Sequence, residues 1–225
     1  MNTISNTLEA FFNCLLDANI PIVVLRGYES LPAFVKTDVD AFVDPSNIKL
    51  FEEVLGCHVE FNLQKYDSRL GLNKYFLSRG ADVIELDIVY GFYYAGLSYV
   101  DTNALFSYAS VHESSLFLIP RVIEEIEVSL LKEVLHNGKL RSDKKDYYLS
   151  LLPKALRLNQ KLIGVLAEVE VRNLLISVSN NAFDVMALRK KLLWRLLKSN
   201  VRNEGFFCVL KNLFLHLKIK YTVLH

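Results

Sequence analysis

Apolar and polar positions follow two different patterns along this 225-residue chain. Up to about residue 118, short runs rich in β-branched and aromatic residues alternate with glycine, proline and polar turn residues. Beyond residue 119, apolar residues recur three and four positions apart almost to the last residues. Because strands repeat every two residues and helices every 3.6, the change predicts an α+β domain over 1–118 and a helical domain over 119–225.

The first half predicts a small sheet flanked by helices. Helical spacing predicts helices over Thr3–Ala18 and from Ser46 to Gly56. The four residues from Arg79 to Asp82 are typical of a tight turn, so the strands on either side are expected to form an antiparallel hairpin. We therefore expect a mixed or antiparallel sheet and not a doubly wound parallel one. The predicted strands are Ile20–Leu25, Asp38–Val43, Cys57–Leu63, Lys74–Ser78 and Val83–Tyr90.

The second half predicts a helical bundle. Pro120 is expected at the first helical position, since proline lacks the N–H that this position leaves unpaired. Further helices are predicted over 143–152, 160–178, 183–199 and 205–219. The predicted apolar stripes are Ile123, Ile126, Leu130 and Val134 on the first helix, Val185, Leu188, Leu192 and Leu196 on a later one, and Phe206, Leu210, Leu213 and Leu217 on the last.

Charge and motifs exclude several classes of function. Lys plus Arg total 26 and Asp plus Glu total 25, so the net charge gives no reason to expect nucleic acid as a partner. The first residues lack a secretory signal pattern and no apolar run reaches about 18 residues, so we expect a cytoplasmic protein without a transmembrane span. The chain has no GxxxxGK[ST], GxSxG or GxGxxG motif, which disfavours P-loop kinases, α/β-hydrolases and dinucleotide enzymes.

Two aspartates on one predicted strand are the strongest candidates for chemistry. Asp38 and Asp40 are one residue apart, so both side chains leave the same face of the strand, with Cβ atoms roughly 6 to 7 Å apart. Val39, Ala41 and Val43 then point to the core. The pair can share a divalent cation, and the alternative is an exposed strand face with two solvated acids.

The segment upstream favours the metal-binding alternative. Arg26 and Gly27 directly follow a buried strand, where a glycine lets backbone amides approach a phosphate and a guanidinium can grip its oxygens. Leu25-Arg26-Gly27 followed ten residues later by Asp38-Val39-Asp40 resembles the polymerase-β-type nucleotidyltransferase signature, over roughly residues 20–90. The run from Leu25 to Pro32 is also similar to nucleotidyltransferase-like domains of bacterial surface-polysaccharide loci. The resemblance implies a nucleotidyltransferase-type sheet.

The resemblance also implies a third carboxylate on a nearby strand. Asp87 is the better match, and Glu85 on the same strand face is an alternative ligand or a base. Two Mg²⁺ or Mn²⁺ ions would then hold a nucleoside triphosphate, with ATP as the first guess, for attack by an acceptor hydroxyl. Arg26 and the Gly27 amide would neutralise the departing phosphates. A salt bridge to Arg26, Lys74 or Arg79 is the structural alternative for Asp87 and Glu85.

The helical half offers weaker candidates. Lys132, with other basic residues around Gly138, is a candidate phosphate contact, and the alternative is a solvated charge. The basic helices from residue 189 onward are expected to be bundle helices with a basic outer face. Their aromatic residues leave a homodimer or a partner domain as the alternative, since a small bundle cannot hide so much apolar surface. Two other functions stay open: a catalytically inactive module of the same fold, favoured if Asp87 turned away from the two aspartates, and a DxD glycosyltransferase, which requires a larger parallel sheet.

Overall fold

The structure is a computed structural model that describes residues 3–35, 37–155 and 162–222. The chain divides into two compact units. The first contains Met1–Gly91 and Phe106–Pro120, and the second contains Phe92–Leu105 and Arg121–His225. The short segment Phe92–Leu105 precedes the predicted domain boundary, yet it clusters with the second, mainly helical unit.

The expectation of a mixed sheet is confirmed. The strands among the described residues are β1 (Ile22–Val24), β2 (Asp38–Val43), β3 (Asn62–Arg69), β4 (Leu72–Arg79), β5 (Asp82–Val89), β6 (Tyr93–Tyr94), β7 (Leu97–Ser98), β8 (Ser110–Val111) and β9 (Leu118–Ile119). In the described part of the first unit, seven of them form one sheet in the order β3–β4–β5–β2–β1–β9–β8. Strand β2 runs parallel to β5, and β1 runs parallel to β9, while the other neighbours are antiparallel.

Two predictions that carry the candidate site are confirmed. Strand β2 has the predicted bounds, and β4 and β5 form the predicted hairpin with Arg79 opposite Asp82. The helices of the chain are α1 (Thr3–Asp17), α2 (Ile48–Cys57), α3 (Thr102–Tyr108), α4 (Val122–Lys132), α5 (Lys145–Ala155), α6 (Glu168–Ser179), α7 (Met186–Glu204) and α8 (Phe206–Thr222).

The strand predicted over Cys57–Leu63 is wrong at its start. Helix α2 continues through Gly56 to Cys57, and Val59, expected to be buried, is 97% exposed in a turn. Strand β3 begins only at Asn62 and continues to Arg69 through a polar stretch. Alternation over seven residues did not distinguish a strand from a helix end followed by a turn, and the polar strand is held by its backbone pairing with β4.

Helices α1 and α2 bury one face of the sheet. Phe11 and Phe12 of α1 and Phe51 of α2 are completely buried in one core cluster with the inward residues of β2 and β5. The inward strand residues are Val39, Ala41, Val43, Ile84, Leu86 and Ile88. Because alternate strand residues point to opposite faces, the residues between them lie on the other face of the sheet. That other face carries the predicted site.

The second unit differs from prediction at several helix ends. Pro120 is not the first helical residue, because α4 begins at Val122 after Arg121, whose N–H donates to the Glu124 carboxylate at 2.7 Å. A side chain that satisfies the backbone at the helix start therefore sets the boundary. The helix predicted over 160–178 begins at Glu168, with residues 160 and 161 outside the described part. The stripe Ile123, Ile126, Leu130 and Val134 is buried as predicted.

The last helices expose aromatic side chains. The predicted stripe on α8 is wrong at Phe206, which is 58% exposed, while Val209 is buried instead; the side chain of Leu217 lies outside the described part. Three further aromatic side chains are exposed: Phe207 and Phe214 of α8, and Trp194 of α7. No helix among the described residues combines the length and the apolar character that crossing a bilayer requires.

Candidate metal centre

The pairing of β2 with β5 aligns four carboxylates on one face of the sheet. The parallel register sets Asp38 opposite Glu85 and Asp40 opposite Asp87. The residues between them, Val39 and Leu86 among others, point into the core under α1 and α2. The sheet therefore gathers acidic side chains from two strands that are more than forty positions apart in the sequence.

Three of these side chains form a compact cluster. One carboxylate oxygen from each of Asp38, Asp40 and Asp87 lies within 4.8 Å of the others. Asp40 and Asp87 are buried, with 6% and 7% exposure, whereas Asp38 is partly exposed. Buried carboxylates so close together repel each other, and a divalent cation with a preference for oxygen ligands removes that cost. The three side chains are therefore able to hold a metal ion between them.

Arg26 lies at this cluster because the β1–β2 ladder extends by one residue. The Leu25 N–H donates to the Asp40 carbonyl at 2.9 Å, which brings the next residue alongside the Asp40 side chain. The Arg26 Nε and Nη2 atoms both lie 2.5 Å from Asp40 Oδ2. Gly27 then adopts a left-handed backbone (φ 67°) that directs the chain into a short 3-10 helix. The predicted contact of Arg26 and Gly27 with phosphates stays a prediction.

Lys74 on β4 neutralises the third aspartate. It stands opposite Asp87 in the hairpin, and its ammonium donates to both carboxylate oxygens, at 2.7 and 2.8 Å. Burial nevertheless holds the pKa of Asp87 above its ordinary value, and the charges of Asp40 and Asp38 add to this effect. Burial alone would lower the pKa of Lys74, but the contact with Asp87 and the neighbouring negative charges raise it. The raised pKa of Lys74 therefore reflects the negative charges around it, whereas the raised pKa of Asp87 comes mainly from burial.

Glu85 belongs to the edge of the site. Its carboxylate accepts a hydrogen bond from the Tyr66 hydroxyl and lies 3.8 Å from Lys74 Nζ. Burial and this contact raise the pKa of Tyr66 to about 12. The Tyr66 ring stacks on Phe76 at 4.3 Å between centroids. The three-carboxylate cluster contains Asp87 and not Glu85, which favours Asp87 as the third ligand.

Lys74 was expected as one possible salt-bridge partner of Asp87 or Glu85, and its ion pair with Asp87 is confirmed. The hairpin turn held a further signal for this pairing. The predicted turn pairs Arg79 with Asp82, and counting outward along the antiparallel register sets Lys74 opposite Asp87. Tyr66 had no such signal, because β3 was not predicted over its position. Lys132 is exposed in the last turn of α4 in the second unit, so its role as a phosphate contact stays a prediction.

Comparison with known protein families, with curated proteins and with solved structures found no match to this chain.

Proposed function

We propose that this chain is a metal-dependent nucleotidyltransferase, which transfers a nucleoside monophosphate from a nucleoside triphosphate to a hydroxyl acceptor. The observation that carries the proposal is the cluster of Asp38, Asp40 and Asp87, whose oxygens lie within 4.8 Å of one another. Two of the three side chains are buried, and the two protein cations that pair with them, Arg26 and Lys74, leave one of the three negative charges uncompensated. The Arg26–Gly27 turn beside the cluster supports a site for a phosphorylated substrate.

The residues of the chain have distinct roles in this proposal. Asp38, Asp40 and Asp87 hold Mg²⁺ or Mn²⁺, and the bound cation supplies charge stabilisation to the triphosphate. The acceptor hydroxyl gives its proton to the Glu85 carboxylate and its oxygen bonds to the α-phosphorus. The bond from the α-phosphorus to the bridging oxygen breaks, and pyrophosphate leaves with the electron pair of that bond. Arg26, whose guanidinium is already at the cluster and partly exposed, then contacts phosphate oxygens. Gly27 is exposed, so its backbone is accessible to the same group.

A non-catalytic binding module is the second candidate. Asp40 and Asp87 are each paired with a cation of the protein itself, Arg26 and Lys74 respectively, so part of the cluster's charge is compensated without a metal. The position of Asp87 argues against this module, because Asp87 faces the two aspartates and does not turn away from them.

The sheet has only two parallel pairings among the described strands, which disfavours a DxD glycosyltransferase.

Calorimetric titration with each nucleoside triphosphate, in the presence and absence of magnesium, tests the proposal. We expect magnesium-dependent binding of at least one triphosphate, ATP first, and its loss in the double variant Asp38→Asn, Asp40→Asn. The matched control is Asp67→Asn, because Asp67 stands opposite Lys74 on the neighbouring strand but pairs with Arg69 at 2.8 Å. Binding that is absent for all triphosphates, or unchanged in the double variant, contradicts the proposal.

Label transfer separates the enzyme from the binding module. The protein is incubated with magnesium, a bacterial extract as the source of acceptors, and a triphosphate labelled at either the α- or the γ-phosphorus. We expect acid-stable label on an acceptor from the α-labelled triphosphate only, because the β- and γ-phosphates leave together. Magnesium-dependent binding without any transfer would favour the non-catalytic module.

A further inference from the structure

Before a nucleotide binds, the charges around the cluster match a site for one divalent cation and not for two. Asp38, Asp40, Asp87 and Glu85 are four carboxylates, and Arg26 and Lys74 are two cations in ion pairs with them. Two negative charges remain, and one divalent cation neutralises them. A second divalent cation would bring two further positive charges next to the Lys74 ammonium.

The Lys74 ammonium occupies the place beside Asp87 that a second metal ion would need. In a two-metal site, the third carboxylate provides oxygens to a second ion about 3.5 to 4 Å from the first. Here both oxygens of Asp87 accept hydrogen bonds from Lys74 Nζ, at 2.7 and 2.8 Å. The lysine side chain is only 22% exposed and rises from the strand position directly opposite Asp87, so the register of the hairpin holds it there.

One cation remains compatible with all three aspartates. Each carboxylate oxygen has two lone-pair sites, so an oxygen of Asp87 that accepts from Lys74 still has room for a metal ion. Ligands of octahedral Mg²⁺ lie about 2.1 Å from the ion, so two of them are about 3 Å apart when adjacent and about 4.2 Å apart when opposite. The oxygens of the cluster lie within 4.8 Å of one another, so they surround one ion after moving closer together.

We infer that Lys74 takes the place of the second cation, so that the site binds one divalent cation per chain. This inference rests on the proposed function and replaces the two-ion arrangement that the family resemblance implies. Lys74 is then a positioning residue: it orients Asp87 and supplies the positive charge that a second metal ion supplies elsewhere. Replacement of Lys74 by a neutral residue frees both oxygens of Asp87 and leaves one more negative charge uncompensated. The second cation site is then open.

Counting bound manganese tests the inference. Crystals of the full chain are soaked with Mn²⁺ alone and with Mn²⁺ plus α,β-methylene-ATP, and anomalous difference maps locate the ions. We expect one ion per chain at the aspartates in the wild type, and a second, about 3.5 to 4 Å from the first, in Lys74→Met with the nucleotide analogue. A change in the number of ions is not expected from a purely structural lysine.

Control variants keep the outcomes distinct. Lys65→Met removes a lysine from the adjacent strand that pairs with Glu52 instead, and it should leave one ion. Lys74→Gln is a second neutral variant in case Lys74→Met does not fold. Two ions in the wild type overturn the inference and leave the proposed function intact. One ion in a folded neutral Lys74 variant also overturns it, and no ion in any chain overturns the proposed function together with the inference.

Discussion

Glu127 in the second unit should make the stability of the protein depend on pH. Its side chain is completely buried in α4, and its Oε2 accepts hydrogen bonds from the N–H groups of Ile163 and Gly164, at 2.8 and 3.0 Å. Its Oε1 has no hydrogen-bond partner among the described residues. Burial raises the pKa of Glu127 to about 7, against the opposing effect of the backbone donors, and the nearby Glu124 adds to the rise.

The sign and the size of the effect follow from this shift. The ordinary pKa is 4.5, so between about pH 4.5 and 7 the folded state holds a proton that the unfolded state has released. The resulting stabilisation is fully present below the unfolded pKa and is lost as the pH rises through the folded pKa. A shift of this size corresponds to about 3 kcal/mol, at roughly 1.4 kcal/mol for each pKa unit.

The Glu127→Gln variant isolates this contribution. Glutamine keeps a carbonyl acceptor for the two backbone donors and has no titrating proton. We expect the free energy of unfolding of the variant, relative to wild type, to increase by about 3 kcal/mol from pH 4 to pH 8.5. Urea unfolding across this range measures it, and the other titrating groups cancel in the difference. A difference that stays constant within about 1 kcal/mol, or that falls with pH, would refute the reasoning.

Three further predictions concern the site and the turns. Lys74→Met should lower the free energy of unfolding by about 1.5 to 3 kcal/mol, because Asp87 loses a charged hydrogen-bond partner. The double variant Lys74→Met, Asp87→Asn should recover part of the lost stability. Urea unfolding measures the free energy of unfolding of both variants. Gly27→Ala should cost about 1 to 2 kcal/mol through its positive φ alone, since nothing lies within 4 Å of the added Cβ, and should leave the far-ultraviolet circular dichroism unchanged. Gly96→Ala should lower the melting temperature more than Gly27→Ala, because its Cβ would also lie 2.6 Å from the Asn212 carbonyl oxygen.

The local sequence pattern was sufficient to predict elements whose structure depends mainly on their own residues. Strand β2 was predicted with its observed bounds, because its alternation sets Asp38 and Asp40 on one face and apolar residues on the other. The β4–β5 hairpin was predicted because its turn residues lie between two strand-like runs. Local pattern failed over Cys57–Leu63, where a helix end and a turn imitate a strand.

The partners of each strand depended on the tertiary structure. Nothing near Asp87 in the sequence specifies that β5 runs parallel to β2 with Asp87 opposite Asp40, since that register arises when both strands bury their other face under α1 and α2. The same long-range pairing brings Arg26 to Asp40. The sequence by itself determined which carboxylates share a strand face. Only the folded sheet decided that three of them meet beside two cations of the protein, because contacts between distant strands come from packing and not from local periodicity.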